Sequence, residues 1–305
     1  MPQPLFTVVT IACNSEKWIQ QAINSVLASH FVDFEYLICD DCSADNTWQI
    51  IQSYKDARIR IFRHDKNKGE YQNRNFALEN SSGKYLLFVD GDDELFVDTL
   101  GRLAGYIYLY PTAGSLWGVP KNEFYGDKLP LLLQPEEIIK WLYLANIRIA
   151  HIGFAETIFK TSLLKLLGGF STKFISGDSH MKKICALEAP VLIIPGGLIF
   201  WRITEGQASS QLLVNYNGFR NNVAIDVDFL TRMKYKQLQI PATMLERNIR
   251  IRNIKLLFKH TFIKGKIFDG IRLFNELHFE VKDLQLLLQK GDYSYYQQLK
   301  NKYGR

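Results

Sequence analysis

The sequence predicts an α/β protein with a mostly parallel central sheet flanked by helices and a helical extension at its C-terminal end. Three observations predict it. Short β-branched and aromatic runs alternate with helix-like segments through the first hundred residues. The two acidic clusters, 40–45 and 90–93, each directly follow such a run, and beyond about residue 210 the chain reads as helices with basic faces. Parallel neighbours need crossover connections, and the crossovers place helices on the faces of the sheet.

The run at 5–11 has the apolar character of a buried strand. Asn14 and Ser15 offer capping chemistry, and Trp18, Ile19, Ala22, Ile23, Val26 and Leu27 recur at helical spacing within 15–29. A second strand at 34–39 empties into the turn-rich acidic loop 40–47 and a helix reaching about Tyr54. The strand signal returns at 58–62, Asn67-Lys68-Gly69 interrupts it, and a helix over 70–80 is expected to end at Gly83. Residues 85–89 are almost wholly apolar and run into Asp90-Gly91-Asp92-Asp93, with another helix expected from near Leu95. The stretch 101–205 is less regular. It offers a helix around 134–145, a strand near 151–160, a helix at 161–167 closed by Gly168-Gly169, and an apolar helical segment at 181–187. Pro241 marks a boundary between helices in the remainder.

With 305 residues, 47% of them hydrophobic and 22% charged, the chain has apolar surface enough to offset the entropy of ordering a core. Four cysteines are too few for a disulfide scaffold, which suits a reducing compartment. Cys39 and Cys42 form a C-x-x-C, but a turn rather than a helix follows it and no second pair completes a zinc site. The start of the chain lacks the pattern of a secretory signal. The most apolar stretch, 189–203, is broken by Pro190, Pro195, Gly196, Gly197 and Arg202 and falls short of the ~20 residues needed to span a bilayer. A cytoplasmic protein without a transmembrane helix is expected. The formal charge of +6 is uneven, since residues 232–305 hold 16 Lys and Arg against 6 Asp and Glu. Arg247, Arg250, Arg252, Lys255, Lys259, Lys264 and Lys266 lie among Ile, Leu and Phe, a pattern suited either to a membrane interface or to solvated faces of packed helices. A nucleic-acid partner is not expected, because a pI near 9.0 stands without any recognition motif.

Ligands of open α/β sheets collect at the carboxyl ends of the strands, where both acidic clusters fall. Crowded carboxylates repel and raise one another's pKa, and a divalent cation removes that cost. Mg²⁺ or Mn²⁺ takes one or two carboxylates together with phosphate oxygens and water, an arrangement that Asp90 and Asp92 fit. Capping of a following helix accounts for Asp92, Asp93 or Glu94 and leaves Asp90 unexplained. Asp45 is equally a candidate helix cap, and Arg74 a solvated helix charge.

Taken in order, Ile11-Ala12-Cys13-Asn14, Asp40-Asp41-Cys42-Ser43-Ala44-Asp45, Asn67-Lys68-Gly69 with Arg74-Asn75, and Asp90-Gly91-Asp92-Asp93 resemble the family 2 glycosyltransferases of the GT-A fold. The likeness covers 5–100 well and 150–210 less completely. It implies an inverting transfer of a sugar from a nucleoside-diphosphate sugar, uridine or thymidine rather than guanosine, to a hydroxyl acceptor. It further implies that Ala12, Asn14, Asp41, Arg74, Asp90 and Arg202 bind the donor, Asp41 by accepting the imide N–H of the base. Asp92 and Asp90 would hold Mn²⁺ or Mg²⁺. Gly169-Phe170 through Ser176-Gly177-Asp178 is similar to the family's stretch carrying the general base, which makes Asp178 the candidate; Gly177 stands where Glu is common, and Lys182-Lys183 where Leu-Arg is usual. Capping of the 181–187 helix is the alternative role for Asp178. Trp201-Arg202 through Ser209 is similar to the loop that closes over the diphosphate, and Glu156 and Trp201 are candidates for the acceptor side.

On this resemblance, 1–100 is the nucleotide-binding half of the GT-A domain, 101–209 the acceptor-binding half and 210–305 a basic helical extension. The acceptor would be a saccharide or lipid-linked saccharide of a cell-surface polysaccharide, with peripheral membrane contact through the basic region. Two other classes compete. A sugar-phosphate nucleotidyltransferase generally opens with a Gly-rich basic loop, and 12–17 contains no Gly. A non-catalytic sugar-nucleotide or polyanion binder on the same fold would be indifferent to the loss of Asp178.

Overall fold

The computed structural model describes residues 3–120, 128–145, 153–204, 216–234, 236, 238–263, 267–289, 298 and 301. At its centre lies β1 (Phe6–Ala12), buried along almost its whole length and paired in parallel with β2 (Phe34–Asp40) on one side and β4 (Tyr85–Phe88) on the other. β3 (Ile59–Arg63) adds to β2 in parallel. Beyond β4 come β8 (Thr157–Lys160), β6 (Ser115–Val119), β9 (Val191–Pro195) and β7 (Leu131–Leu133), giving an eight-stranded sheet in the order β3-β2-β1-β4-β8-β6-β9-β7. Four of its seven pairings are parallel, and antiparallel β8 joins the two parallel groups.

Helices α1 (Ile19–Leu27), α2 (Thr47–Gln52) and α3 (Glu70–Asn80) connect the first four strands as crossovers. α1 starts four residues later than the capping signal suggests. Asn14 is in the left-handed region (φ 52°) and its Oδ1 accepts the Ala44 N–H at 2.9 Å, so its side chain serves the neighbouring acidic loop. Likewise Gly83 does not end α3, which stops at Asn80. A Cβ on Gly83 would stand 2.3 Å from the Thr7 nitrogen, so the residue allows the chain to pass tightly beneath β1.

No helix begins near Leu95. Glu94–Leu95 forms β5, which pairs antiparallel with β10 (Ile199–Phe200), and α4 (Thr99–Leu109) follows. That small ribbon ties the segment after the second acidic cluster to the segment carrying Trp201 and Arg202. β6 and β7, which the irregular middle stretch concealed, complete the sheet. α5 (Pro135–Tyr143), α6 (Thr161–Leu166) and α7 (Gly177–Glu188) pack around this second half. α7 is buried on nearly every side, including Lys182 and Lys183, as its position between sheet and extension demands.

The extension comprises α8 (Asn217–Met233), α9 (Ala242–Phe258) opened by Pro241, a π-turn at Lys259–Ile263, α10 (Ile267–Glu276) and a 3₁₀ segment at Val281–Leu288. Phe229, Met233, Leu245 and Ile249 join Trp117, Trp141 and Ile193 in one core cluster, so α8 and α9 are built onto the sheet. Several of the basic residues face protein partners. Arg250 pairs with Asp283 at 2.5 Å, Arg252 with Asp226, and Lys255 donates to the Gln289 carbonyl at 2.6 Å. Lys264 and Lys266 lie outside the described residues. No helix among the described residues is long and apolar enough to cross a membrane.

Candidate donor-binding and catalytic site

The acidic loops converge on the end of β1 because the backbone of β1 receives both. Asp41 N–H donates to the Ala12 carbonyl at 2.8 Å, and Gly91 N–H to the Ile11 carbonyl at 3.1 Å. Asp41 and Asp90 therefore flank one strand end, on loops about 10 Å apart at the usual strand spacing.

Much of the charge crowding expected from the sequence is relieved by protein groups. Buried Asp40 is held by Ser43 and by Arg63 at 3.3 Å. Asp41 takes the Lys68 N–H on one oxygen and the Gly69 N–H on the other, both at 2.8 Å, which folds the 67–69 loop over it. A carboxylate oxygen has two lone pairs, so each retains capacity for a further donor. Asp45 accepts from Thr47 and from the Glu16 N–H, fixing the loop to the turn that precedes α1.

Around the second cluster the organising group is Arg74. It is buried in α3, donates to Glu70 at 3.0 Å and to Asp90 Oδ2 at 2.9 Å, and lies over the rings of Phe88 and Phe154 at 4.5 and 3.9 Å. Its alternative as a solvated helix charge is thereby excluded. Glu70 stands four residues before Arg74 on the same helix face, a spacing visible in the sequence. Burial raises its carboxyl above the ordinary value and Arg74 opposes that rise. Two buried atoms here have no hydrogen-bond partner among the described residues: Arg74 Nη1 and Asp90 Oδ1. Orphaned buried polar atoms are costly, and paired ones at a strand terminus are what a polar ligand would satisfy.

Asp92 Oδ2 accepts the Thr204 hydroxyl at 2.9 Å. Asp93 is buried, accepts the Arg202 N–H at 3.0 Å, and is pushed up to about 7 by burial and by Asp90. Arg202 donates to the Asp92 carbonyl at 3.0 Å and to Glu94 at 2.5 Å, and stacks over Trp18 at 4.0 Å. It thus anchors the end of β10 to the second acidic cluster. Trp201 beside it is 55% exposed. The rest of the proposed closing loop, 205–209, lies outside the described residues.

Asp178 sits in the first turn of α7, half-buried, with one carboxylate oxygen facing the backbone of Gly153. Burial raises its pKa, while the Ser179 N–H, Lys182 and Arg74 oppose the rise. It also raises the pKa values of Glu70 and Tyr71, so it lies near the Glu70–Arg74 pair. Glu156, like Asp178, acts on buried Lys182, and its Oε2 is buried without a partner among the described residues. Its Oε1 accepts the N–H groups of Gly197 and Leu198 at 3.0 and 3.1 Å, holding the turn that leads to β10. Sequence reasoning gave no site role to Glu70, Thr204, Trp18, Tyr71 or Lys182. Of these Glu70 carried a signal in its i,i+4 relation to Arg74, and Lys182 in its departure from the family pattern.

Among the described residues no group of three or more His, Cys, Asp or Glu gathers closely enough to hold a metal alone. The donor set present fits one that binds together with a diphosphate: hard oxygen ligands, one of them the orphaned buried Oδ1 of Asp90, beside half-buried Asp92.

The α/β sheet thus carries acidic loops at the ends of β2 and β4, with Asp178 in the first turn of α7 near the Glu70–Arg74 pair. The profile described as glycosyl transferase family 2 matches residues 7–166, and the chain belongs to that family. Curated relatives include the poly(ribitol-phosphate) β-N-acetylglucosaminyltransferase TarS of Staphylococcus aureus, 31% identical over 172 residues, which make up 52% of this chain and 28% of TarS. The putative teichuronic acid biosynthesis glycosyltransferase TuaG of Bacillus subtilis is 38% identical over 118 residues, 38% of this chain and 47% of TuaG. This chain therefore spans less than half the length of these relatives. Among solved structures, S. aureus TarS 1–349 in complex with UDP-GlcNAc superposes with a TM-score of 0.64 at 21% identity, covering 96% of this chain and 81% of the other. The mannosyltransferase PcManGT of Pyrobaculum calidifontis, in complex with GDP-Man and Mn²⁺, gives 0.61 at 16% identity over 97% and 84%. At these identities the likeness concerns the fold, a mixed α/β sheet flanked by helices.

Proposed function

We propose that the protein is an inverting glycosyltransferase that moves a sugar from a nucleoside-diphosphate sugar to a hydroxyl acceptor in the synthesis of a cell-surface polysaccharide. One observation carries this: Asp90 and Asp178 both border the Glu70–Arg74 pair, Asp90 bonded to Arg74 with its other oxygen unsatisfied, and Asp178 in the first turn of α7 acting on both members of the pair. Two carboxylates on different elements around one site suit separate roles, one beside the leaving group and the other as base.

In the proposed reaction the acceptor oxygen forms a bond to the anomeric carbon as the bond to the diphosphate oxygen breaks. The electron pair leaves on the diphosphate, and the acceptor proton passes to Asp178. Asp92 with Asp90 would hold Mn²⁺ or Mg²⁺, which when bound supplies Lewis-acid stabilisation of the departing diphosphate. Ala12 and Asn14 border the base, and Asp41 receives its imide N–H. A uridine or thymidine diphosphate satisfies that acceptor. The TarS complex with UDP-GlcNAc supports the uridine choice. Arg202 shapes the diphosphate end from its place on Asp92 and Glu94, and exposed Trp201 offers a face for a saccharide. In this scheme residues 1–100 bind the nucleotide, 101–209 the acceptor, and 210–305 form the basic helical extension. The protein works in the cytoplasm at the inner face of the membrane on a saccharide or lipid-linked acceptor. Exposed Phe262, Ile267, Phe268 and Ile271 near Lys259 provide the apolar and basic groups for peripheral contact.

The test is thermal unfolding with UDP, dTDP and GDP, each with Mn²⁺ and with EDTA, followed by nucleotide release from the corresponding sugars. UDP or dTDP should raise the melting temperature with Mn²⁺ only. No shift with any nucleoside diphosphate would overturn the assignment.

A further inference from the structure

The N-terminus of α7, where Asp178 resides, lacks a side-chain cap of its own. A helix start leaves backbone N–H groups without intrahelical partners, and here the N–H of Gly177, the first helical residue, and those of the two residues before it are claimed from two distant parts of the chain. Tyr71 of α3 accepts the Gly177 N–H at 2.7 Å and donates its own proton to the Ile175 carbonyl at 2.8 Å. Asn221 of α8 accepts the N–H groups of Ile175 and Ser176 on one oxygen, at 2.7 and 3.4 Å. Three consecutive N–H groups, ending at the residue before Asp178, are held by two side chains that are themselves half-buried or buried.

The Tyr71 ring explains the departure from the family pattern at 177. A Cβ at that position would lie 2.6 Å from Tyr71 Cε1 and 2.7 Å from Cζ, so any larger residue would displace the ring that carries the hydroxyl. Tyr71 also neighbours Glu70 in sequence, and Glu70 pairs with the Arg74 that fixes Asp90. One turn of α3 therefore sets both carboxylates. Asn221 brings in the extension: its Nδ2 is buried without a partner among the described residues, so the amide's packed contribution to the site is its oxygen.

We infer that Tyr71 and Asn221 are positioning residues for the base, clamping the 175–177 turn so that the Asp178 carboxylate faces the anomeric carbon, and that the C-terminal extension is through Asn221 a working part of the transferase site. This rests on the assignment of Asp178 as base. A misplacement of about 1 Å at a reacting group can cost on the order of a hundredfold in rate, whereas binding of the nucleotide at the ends of β1 and β2 does not pass through this turn.

The experiment compares the wild-type chain with Tyr71→Phe, Asn221→Ala, Asn221→Asp and Asp178→Asn. It measures nucleoside-diphosphate release from UDP-GlcNAc, UDP-glucose, dTDP-glucose and GDP-mannose with Mn²⁺, and melting temperature. With the donor that the wild type turns over, Tyr71→Phe and Asn221→Ala should lower kcat by roughly ten- to a hundredfold and leave the donor KM within about twofold. Asn221→Asp keeps the acceptor oxygen and should recover kcat to within about threefold. Its added negative charge should move the acid limb of the rate profile to higher pH. If kcat stays at the wild-type value in both Tyr71→Phe and Asn221→Ala while Asp178→Asn is inactive, the clamp has no role and the base assignment stands. A fall in kcat and a rise in KM together, with a melting temperature lowered in proportion, would assign both residues to folding alone. Absence of turnover with every donor would remove the base assignment and this inference with it.

Discussion

Replacing Arg74 by Met tests the centre of the site. The substitution keeps the volume between Phe88 and Phe154 and removes a guanidinium that is 1% exposed in its side chain, paired to two carboxylates that are 31% and 32% exposed. Removing one partner of a buried pair costs about 3–5 kcal/mol, because the remaining charge is left unbalanced. The stacking on two rings adds up to about 2 kcal/mol where it is desolvated. Against this, about a third of each carboxylate reaches solvent, and the buried cation's own desolvation cost disappears. A net loss of about 3 kcal/mol follows, equivalent to about 6 °C in melting temperature for a chain of this size. The loss should depend on pH in a defined direction. Glu70 already has a raised pKa from burial, opposed by Arg74, and without Arg74 it rises further. As the pH falls through that raised pKa, Glu70 takes up a proton and stops being an orphaned charge. Urea denaturation of wild type and variant at about pH 8 and about pH 5 should thus show a difference that shrinks toward acid. A loss below about 1 kcal/mol, or one that is equal at both pH values, would refute the view that Arg74 holds these carboxylates together.

Asp178→Asn should abolish transfer while leaving the UDP-induced melting shift in place. In the wild type the rate should fall on the acid side at a higher pH than an unperturbed aspartate would give, since the base must be ionised and burial raises its pKa. Lys182 is fully buried and pushed down to about 7 by that burial. The cost of holding its charge in the fold is absent above the unfolded value of 10.5, grows as pH drops, and is complete by about 7. Lys182→Met should accordingly stabilise the protein at neutral pH. The gain is bounded by about 5 kcal/mol, vanishes as the pH approaches that of free lysine, and is absent if Asp178 and Glu156 need the cation to fold. Gly83→Ala should cost about 3 kcal/mol in chemical denaturation, because its Cβ would strike the backbone of Phe6 and Thr7. An unchanged midpoint would show that this crossing yields.

The first four strands, their order of appearance, the acidic turns at their ends and the helical character of the extension could all be read from residue types. Each rests on local periodicity or on a turn composition, properties carried by a few consecutive residues. Ends of elements were less legible. Asn14 and Glu94 illustrate why: a capping signal lost its side chain to a loop thirty residues away, and a residue suited to start a helix was taken into a ribbon with Phe200. Strands β6 and β7 carry short patterns whose partners are supplied late in the chain, so nothing local distinguishes them.

The candidate acidic residues and Arg74 could be named from the sequence itself, because chemistry restricts which side chains can hold a diphosphate or take a proton. Only the tertiary structure decided that Arg74 is buried against two phenylalanines, that Arg202 anchors β10 to Asp92 and Glu94, and that Glu156 holds a turn. It alone brought Tyr71 and Asn221, separated by 150 positions, to the same three backbone N–H groups. The physical reason is range. Propensity and periodicity act across one or two turns, whereas burial, desolvation and hydrogen-bond completion depend on whichever distant segments the packed chain places side by side.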